Sequence, residues 1–329
     1  MSGTRAAINS VMNPLAPDDS ESSRTGAPEA TMAEMADMRR QDGNLWPRGT
    51  ILALTAPALA VVAWVAPGLG AERLPIFDTH VHYSRDVWEA FAPAAILEKL
   101  DQAGVPRALV SSTPDAGTLA LHQAAPTRVV PFLRPYRKPG DMANWFRDPE
   151  VVAYLSERLD LGRHVGIGEF HLMDLAEAGT PEMRAVIGQA VARGLFLHVH
   201  SGASKIAALF EIEPELKIVW AHAGMGAPPE VIGPLLDRYD TLWTELSFRA
   251  EDVAQGPDIE PDWRALLLRH ADRFMIGTDT YTRDRWEAYW ALVEQQRSWV
   301  SQLPPDAARA IAYGNAVRLF GAGKAEFWP

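Results

Sequence analysis

The chain lacks cysteine altogether, and this absence removes several kinds of chemistry. A chain without thiols has no thiol nucleophile, no disulfide and no cysteine-ligated zinc, so histidine and carboxylate remain as the strong metal ligands. Positive charge is also scarce, because 31 lysine and arginine residues stand against 42 aspartate and glutamate residues, for a formal net charge of −11. Phosphate binding requires a concentrated basic face, so this balance argues against a nucleic-acid partner.

The overall composition is that of a soluble globular enzyme. Of the 329 residues, 47% are apolar and 22% are charged. A chain of this length can bury a substantial core without disulfides or a structural metal. A metal site in this protein is therefore expected to serve chemistry and not to hold the fold together.

The N-terminal region differs from the rest of the chain. Residues 1–37 have no sustained periodicity and predict a disordered or mis-started extension. Residues 38–71 predict a signal peptide, because a basic leader precedes an uncharged run at 51–71 that small residues close. A membrane anchor formed by 51–71 is the alternative, while Pro57 and Pro67 count against a buried helix. We therefore expect export to the periplasm or the cell exterior, with membrane contact only through such an anchor.

Residues 72–329 predict a single α/β domain. Short apolar segments alternate with stretches long enough for crossover helices. The predicted strands are 76–82, 107–113, 128–136, 164–171, 195–200, 217–222, 242–248 and 274–279. Eight strands alternating with helices are what a (β/α)₈ barrel needs, whereas the rival doubly wound sheet lacks a Gly-rich dinucleotide turn after its first strand. One helix has clear ends, with Thr180 as its N-cap, Pro181 in its first turn and Gly194 beyond its end.

Polar residues gather where the predicted strands end. They are Asp78, His80 and His82 on the first strand, Glu169 and His171 on the fourth, His198 and His200 on the fifth, His222 on the sixth and Asp279 on the eighth. In a barrel these ends meet at one rim, where active sites are assembled. Unpartnered buried polar groups are costly, so such a rim indicates a binding site. Strand alternation directs His80 and His82 to the same side, where two imidazoles can share one cation of the Zn²⁺ type.

Four of these strand ends resemble the signatures of the amidohydrolase superfamily. The motifs are DTHVH at 78–82, LHVHSG at 197–202, AHAG at 221–224 and GTD at 277–279. The segment GNAVRLF at 314–320 is similar to the end of the amidohydrolase-related (amidohydrolase-2) branch. The resemblance spans residues 74–321 and implies a metal-dependent barrel enzyme.

The resemblance also implies a ligand set. It makes His80, His82 and His200 metal ligands, with Asp279 as a further ligand and as the base that orients or deprotonates the attacking water. His222 is then either a ligand of a second metal ion or the group that polarises the substrate.

Two further strand-end residues leave the metal count open. Glu169 either bridges two ions, with His200 and His222 taking the second, or contacts the substrate or a ligand instead. His198 lies one layer below His200 and is expected to be a core histidine bonded to a backbone carbonyl. One or two divalent ions are therefore expected. Zn²⁺ is the first choice, and Mn²⁺ and Fe²⁺ also accept this ligand set.

Arginines near the strand ends bear on the substrate. Arg134 lies at the end of the third predicted strand, and a guanidinium fork suits a carboxylate or a phosphate, so we predict that it binds a small-molecule substrate with an anionic group. Arg249 and Arg283 are equally well explained as solvated loop residues.

Three functions fit these features. Metal-dependent hydrolysis of a small amide, ester, lactone or phosphoester is the leading prediction. Metal-dependent non-oxidative decarboxylation or hydration of a small carboxylic acid is the alternative, because the branch includes such enzymes on the same ligand set. A catalytically inactive metal-binding barrel is the third, and the base expected at Asp279 argues against it. The sequence leaves the oligomeric state open.

Overall fold

The computed structural model describes residues 73–329, and the predictions for residues 1–37 and 38–71 lie outside them. Eight parallel strands hydrogen-bond in chain order, each to the next. They are β1 (Phe77–Val81), β2 (Arg107–Ser111), β3 (Val129–Leu133), β4 (Gly166–His171), β5 (Phe196–His200), β6 (Lys217–Trp220), β7 (Leu242–Glu245) and β8 (Phe274–Met275). Each lies within one of the eight predicted strands, so the (β/α)₈ barrel is confirmed.

Helices connect and cover the strands. Within residues 73–329 the α-helices are α1 (Arg85–Trp88), α2 (Pro93–Ala103), α3 (Ala116–Ala124), α4 (Glu150–Leu159), α5 (Pro181–Arg193), α6 (Ala203–Ile212), α7 (Pro229–Arg238), α8 (Ala250–Val253), α9 (Pro261–Arg269), α10 (Arg283–Glu287), α11 (Tyr289–Val300), α12 (Pro305–Arg309) and α13 (Asn315–Phe320). The strands are buried nearly throughout, as parallel strands enclosed by helices must be.

Helix α5 has the ends that its sequence predicts. The Thr180 hydroxyl accepts a hydrogen bond from the Met183 amide, and Pro181 occupies the first turn. Gly194 ends the helix in the left-handed region, with φ of 66°. Local sequence therefore sets where this helix begins and ends.

The barrel closes between β1 and β8, where the predicted strand 274–279 is shorter than expected. Beyond Met275 the chain still runs beside β1, because the Thr79 amide donates to the Ile276 carbonyl at 2.8 Å and the His82 amide to the Thr280 carbonyl at 2.8 Å. Asp279 lies in the left-handed region with φ of 45°, which interrupts regular pairing. The interruption falls at a residue predicted to act in the site.

The C-terminal helix is attached to the barrel by aromatic and polar contacts. The Phe320 ring of α13 packs against the rings of Phe77, Phe132 and Phe196, with centroids 5.0–6.2 Å apart. Asn315 donates to the carbonyl of Phe274 at 2.7 Å and so fixes the start of β8. None of the helices within residues 73–329 combines the length and apolar character that crossing a bilayer requires.

Candidate metal centre

Four ligand atoms from three parts of the barrel converge at its carboxyl-terminal rim. They are His80 Nε2 and His82 Nε2 from the end of β1, Glu169 Oε2 from β4 and Asp279 Oδ1 after β8. Each histidine nitrogen lies 3.1–3.4 Å from the Asp279 oxygen and 3.3 Å from the Glu169 oxygen, and the two nitrogens lie 3.1 Å apart. Ligand atoms about 2.0–2.1 Å from a tetrahedral ion lie roughly 3.3 Å from one another. The spacing of this first cluster therefore fits one bound divalent cation.

The hydrogen bonds on the far side of each ring assign the tautomers of the two β1 histidines. His82 Nδ1 lies 2.7 Å from the Ser111 carbonyl oxygen, which can only accept, so Nδ1 carries the proton. His80 Nδ1 lies 2.9 Å from Oε1 of Glu245 and donates to it. In the neutral rings both Nε2 atoms are then lone-pair donors that face each other and two carboxylates. Such an arrangement is repulsive by itself and is relieved by a cation at its centre.

A second cluster uses the other oxygen of Glu169. Its Oε1 lies 2.8 Å from His200 Nδ1 and 3.4 Å from His222 Nε2, and these two nitrogens lie 3.1 Å apart. Glu169 thus faces a cluster with each of its carboxylate oxygens, as a bridging ligand would. The structure places His200 in this second cluster, not with His80, His82 and Asp279 in a single four-residue set.

Burial and neighbouring charges together set the ionisation of the first cluster. Burial would raise the pKa of Glu169, but the surrounding histidines hold it well below its usual value. The same balance lowers the pKa of Asp279, where His80 and His82 outweigh burial. Burial would lower the pKa of His80, but Asp279, Glu169 and Glu245 hold it well above its usual value. The ionised carboxylates therefore attract positive charge to this point, as a proton or as a metal ion.

The position of Glu169 depends on an unusual section of β4. The β4–β5 register shifts between Gly168 and Phe170, so Glu169 lies in a bulge. Gly168 has φ of +128°, and a Cβ there would lie 2.2 Å from the carbonyl oxygen of His198. Only glycine permits this close approach of the two strands, and the approach places Glu169 between the two clusters.

The sequence analysis did not single out Glu245, whose carboxylate contacts His80 of the first cluster and His222 of the second. This residue ends β7 and is fully buried. Its Oε1 accepts from His80 Nδ1 at 2.9 Å and from the His222 amide at 2.7 Å, and its Oε2 accepts from the Ser247 amide at 2.7 Å. A charged residue at the end of an apolar strand is the same signal that identified Glu169. Gly277 leaves the space that this carboxylate needs, because a Cβ there would lie 2.1 Å from Oε2.

Asp78, the second residue of β1, does not reach the clusters. Its carboxylate accepts from the Thr278 amide and hydroxyl at 3.0 and 2.7 Å, from the Tyr289 hydroxyl at 2.8 Å and from the His80 amide at 3.1 Å. Burial raises its pKa to about 6 against these hydrogen bonds. Asp78 therefore ties β1 to the segment that carries Asp279.

The remaining strand-end histidines lie beside the clusters. His198 is fully buried and has no hydrogen-bond partner for either ring nitrogen, so the expected bond to a backbone carbonyl is not formed. Its Nε2 lies 3.8 Å from Oε1 of Glu245, and burial lowers the pKa of His198 to about 4.

His171 stacks on His200 with ring centroids 4.2 Å apart, and the Tyr136 hydroxyl lies 3.0 Å from Nδ1 of His171. Burial lowers the His171 pKa to about 3, so the ring is neutral.

The arginines near the rim are bound to protein groups. Arg134 Nε donates to the Glu169 carbonyl at 3.0 Å, and its Nη2 lies 3.5 Å from Glu169 Oε2. Arg249 is buried and donates to three carbonyls, so it is not a solvated loop residue. Arg283 is exposed and pairs with Glu287. This geometry favours a supporting role for Arg134 over direct binding of an anionic substrate.

Comparison with known proteins bears on the family and the fold of the chain. The family model described as amidohydrolase matches residues 77–322. A candidate 2-pyrone-4,6-dicarboxylic acid hydrolase from Pseudomonas putida is 22% identical, with 75% of this chain and 98% of that chain covered and a TM-score of 0.53. A TatD homologue from Escherichia coli K12 is 16% identical, with 76% and 100% covered and a TM-score of 0.53. These two likenesses support the fold. The comparison with curated proteins found no match.

Proposed function

The chain belongs to the amidohydrolase family, and on that premise we propose that it is a hydrolase that would hold two divalent cations, one at each cluster, with Glu169 offering one carboxylate oxygen to each. Its substrate would be a small molecule with an amide, ester, lactone or phosphoester bond. The observation that supports this most is the placement of one carboxylate between two clusters of nitrogen ligands, with Oε2 facing the first and Oε1 the second. Zn²⁺ suits these ligands, and Mn²⁺ or Fe²⁺ would also be accepted.

The protein residues have separate roles in this proposal. When bound, the cations supply Lewis-acid polarisation of a substrate oxygen and lower the pKa of water. Asp279 Oδ1 belongs to the first cluster, whereas Oδ2 lies 3.9 Å from His222 Nε2, on the side of the second. Its side chain keeps 11% of its surface exposed. The Asp279 carboxylate is thus ionised and accessible, and it can accept a proton from an attacking water at Oδ2.

The neighbouring groups orient this machinery. His222 Nδ1 lies 2.7 Å from the Ser247 hydroxyl, which turns Nε2 toward Glu169. We therefore assign His222 as a ligand of the second cation, not as the group that polarises the substrate. Arg134 donates to the Glu169 backbone carbonyl, and its guanidinium neutralises part of the charge of the Glu169 carboxylate.

Measuring bound metal per chain tests the proposal. We expect about two equivalents in the full chain after reconstitution with Zn²⁺, and loss of at least one in a His80→Ala/His82→Ala variant, because each cluster uses separate nitrogens. His122→Ala is the matched control, since His122 lies on α3 and bonds the Val129 carbonyl. A parent protein that binds no metal would contradict the proposal.

Release of CO₂ from an acid substrate without net addition of water would favour the decarboxylase alternative.

A further inference from the structure

Exposed apolar side chains concentrate on the loops that follow the strands. Among residues 73–329, eleven large apolar side chains are markedly exposed, and six of them lie on these loops. The six are Met142, Met173, Leu175, Met225, Phe248 and Tyr281. In a (β/α)₈ barrel these loops surround the catalytic face. Apolar surface at the mouth of a polar site is typical of a ligand-binding region.

Three of these side chains lie close to residues of the candidate metal centre, in sequence or in space. Met225 comes three residues after His222, and its amide donates to the His222 carbonyl at 3.0 Å. Phe248 lies with its ring centroid 5.8 Å from that of His222. Tyr281 comes two residues after Asp279. We call Met225, Phe248 and Tyr281 the apolar rim.

Two members of the apolar rim have unfavourable backbone conformations. Met225 has φ of 59° and Phe248 has φ of 60°, positive values that bulky side chains seldom adopt. Exposure of 42% and 44% means that packing in the core does not compensate for this strain. Strained residues of this kind cluster at ligand-binding sites, where the surrounding structure holds them in place.

Arg285 shows how Phe248 is held. Its guanidinium lies 4.2 Å from the Phe248 ring centroid, and it donates to the carbonyls of Thr278 and Asp279 at 2.6 and 2.9 Å. The ring is therefore anchored to the segment that carries Asp279. This arrangement makes Phe248 a fixed aromatic wall beside His222.

We propose that the apolar rim binds an uncharged aryl or alkyl group attached to the bond that is cleaved. This inference rests on the proposed function, because it places the reacting group of the same substrate at the two clusters. An uncharged group also agrees with the engagement of Arg134 with Glu169, which leaves that guanidinium poorly placed to bind a substrate carboxylate.

The test compares two inhibitors with the same metal-binding group. Acetohydroxamate and benzohydroxamate differ in the group attached to the chelating function, methyl against phenyl. We expect the metal-loaded full chain to bind benzohydroxamate about 10-fold more tightly, a usual discrimination by an apolar pocket. Phe248→Ala should reduce this preference to less than about 3-fold, because the aromatic wall is removed. Trp290→Ala is the matched control, since Trp290 is an exposed aromatic residue on α11 and should leave the preference intact.

The possible results distinguish failure of the proposed function from failure of this inference alone. If neither hydroxamate binds and the protein holds no metal, the proposed function fails. If both bind equally well to the parent, or Phe248→Ala keeps the preference, the apolar rim does not select the substrate and only this inference fails. If Phe248→Ala instead lowers the mass measured by sedimentation velocity while the preference is unchanged, the rim is a contact between copies of the chain and the inference is overturned.

Discussion

At the scale of single residues, the candidate ligands are oriented by partners on the far side of each ring. Glu245 holds His80, the Ser111 carbonyl holds His82, and the Ser247 hydroxyl lies beside Nδ1 of His222. Each contact directs the other ring nitrogen into a cluster. Such outer partners fix the tautomer and raise the basicity of a ligand, so part of the affinity for metal resides in residues that never touch it.

Glu245 provides the sharpest test at this scale. Glu245→Gln preserves shape but removes the negative charge that His80 Nδ1 faces at 2.9 Å. We expect the affinity for metal to fall about 10- to 100-fold. Competition with a chromophoric chelator measures this affinity.

The matched control for Glu245→Gln is Glu287→Gln. Glu287 lies on α10, pairs with Arg283 and is half exposed, so its replacement should leave the affinity unchanged. An affinity for metal within 2-fold of the parent in Glu245→Gln would show that this carboxylate does not support the site.

At the scale of elements, the turn after β6 has strained backbone angles and is held in place by a side chain from outside the turn. His222 and Ala223 have φ of 56° and 46°, so neither contributes to a regular helix. Arg249, just before α8, donates to the carbonyls of His222, Ala223 and Ala227 at 3.1, 3.2 and 2.8 Å. One planar guanidinium thus supplies donors to the carbonyls of Ala223 and Ala227 and a second donor to the His222 carbonyl, which also accepts from the Met225 amide.

Replacing Arg249 with alanine should destabilise this turn. The carbonyls of Ala223 and Ala227 would lose their Arg249 donor and the His222 carbonyl one of its two, so we expect the free energy of unfolding to fall by about 3 kcal/mol. Urea unfolding measures the change, and the bound metal should fall toward one equivalent as His222 moves. Arg283→Ala, on the exposed surface of α10, should change stability by less than about 0.5 kcal/mol. Equal stability of the two variants would refute the supporting role of Arg249.

At the scale of the whole molecule, the barrel brings together ligands that are far apart in the chain. His80 and Asp279 are separated by about 200 positions, yet their ligand atoms lie 3.4 Å apart because β8 closes onto β1. In the unfolded chain these ligands are dispersed. Metal binding is therefore coupled to the folded state and should stabilise it.

Chelation tests this coupling. At a free metal concentration 100-fold above the dissociation constant, each ion contributes about 2.7 kcal/mol to the free energy of unfolding. Two ions should raise the melting temperature by roughly 10–20 °C, given about 2–4 °C per kcal/mol in a domain of this kind. Thermal unfolding with and without chelator measures the shift. The His80→Ala/His82→Ala variant should respond less, and a parent with the same melting temperature in both conditions would contradict the coupling.

The sequence by itself determined the eight strands, the barrel and the histidines and carboxylates at its rim. Strand alternation and helix capping act over a few residues, so they can be read from local pattern, as at His80 and His82 or at Thr180 and Gly194. Export of the chain through residues 51–71 stays a prediction.

Only the tertiary structure decided how the rim residues are grouped. It placed His200 with His222 on one oxygen of Glu169, and it revealed Glu245 beneath both clusters. It also left His198 without the hydrogen bond expected of it. These outcomes depend on the β4 bulge at Gly168 and on the closure of β8 onto β1. Both depend on the register between strands that are distant in sequence. A local sequence pattern does not specify that register.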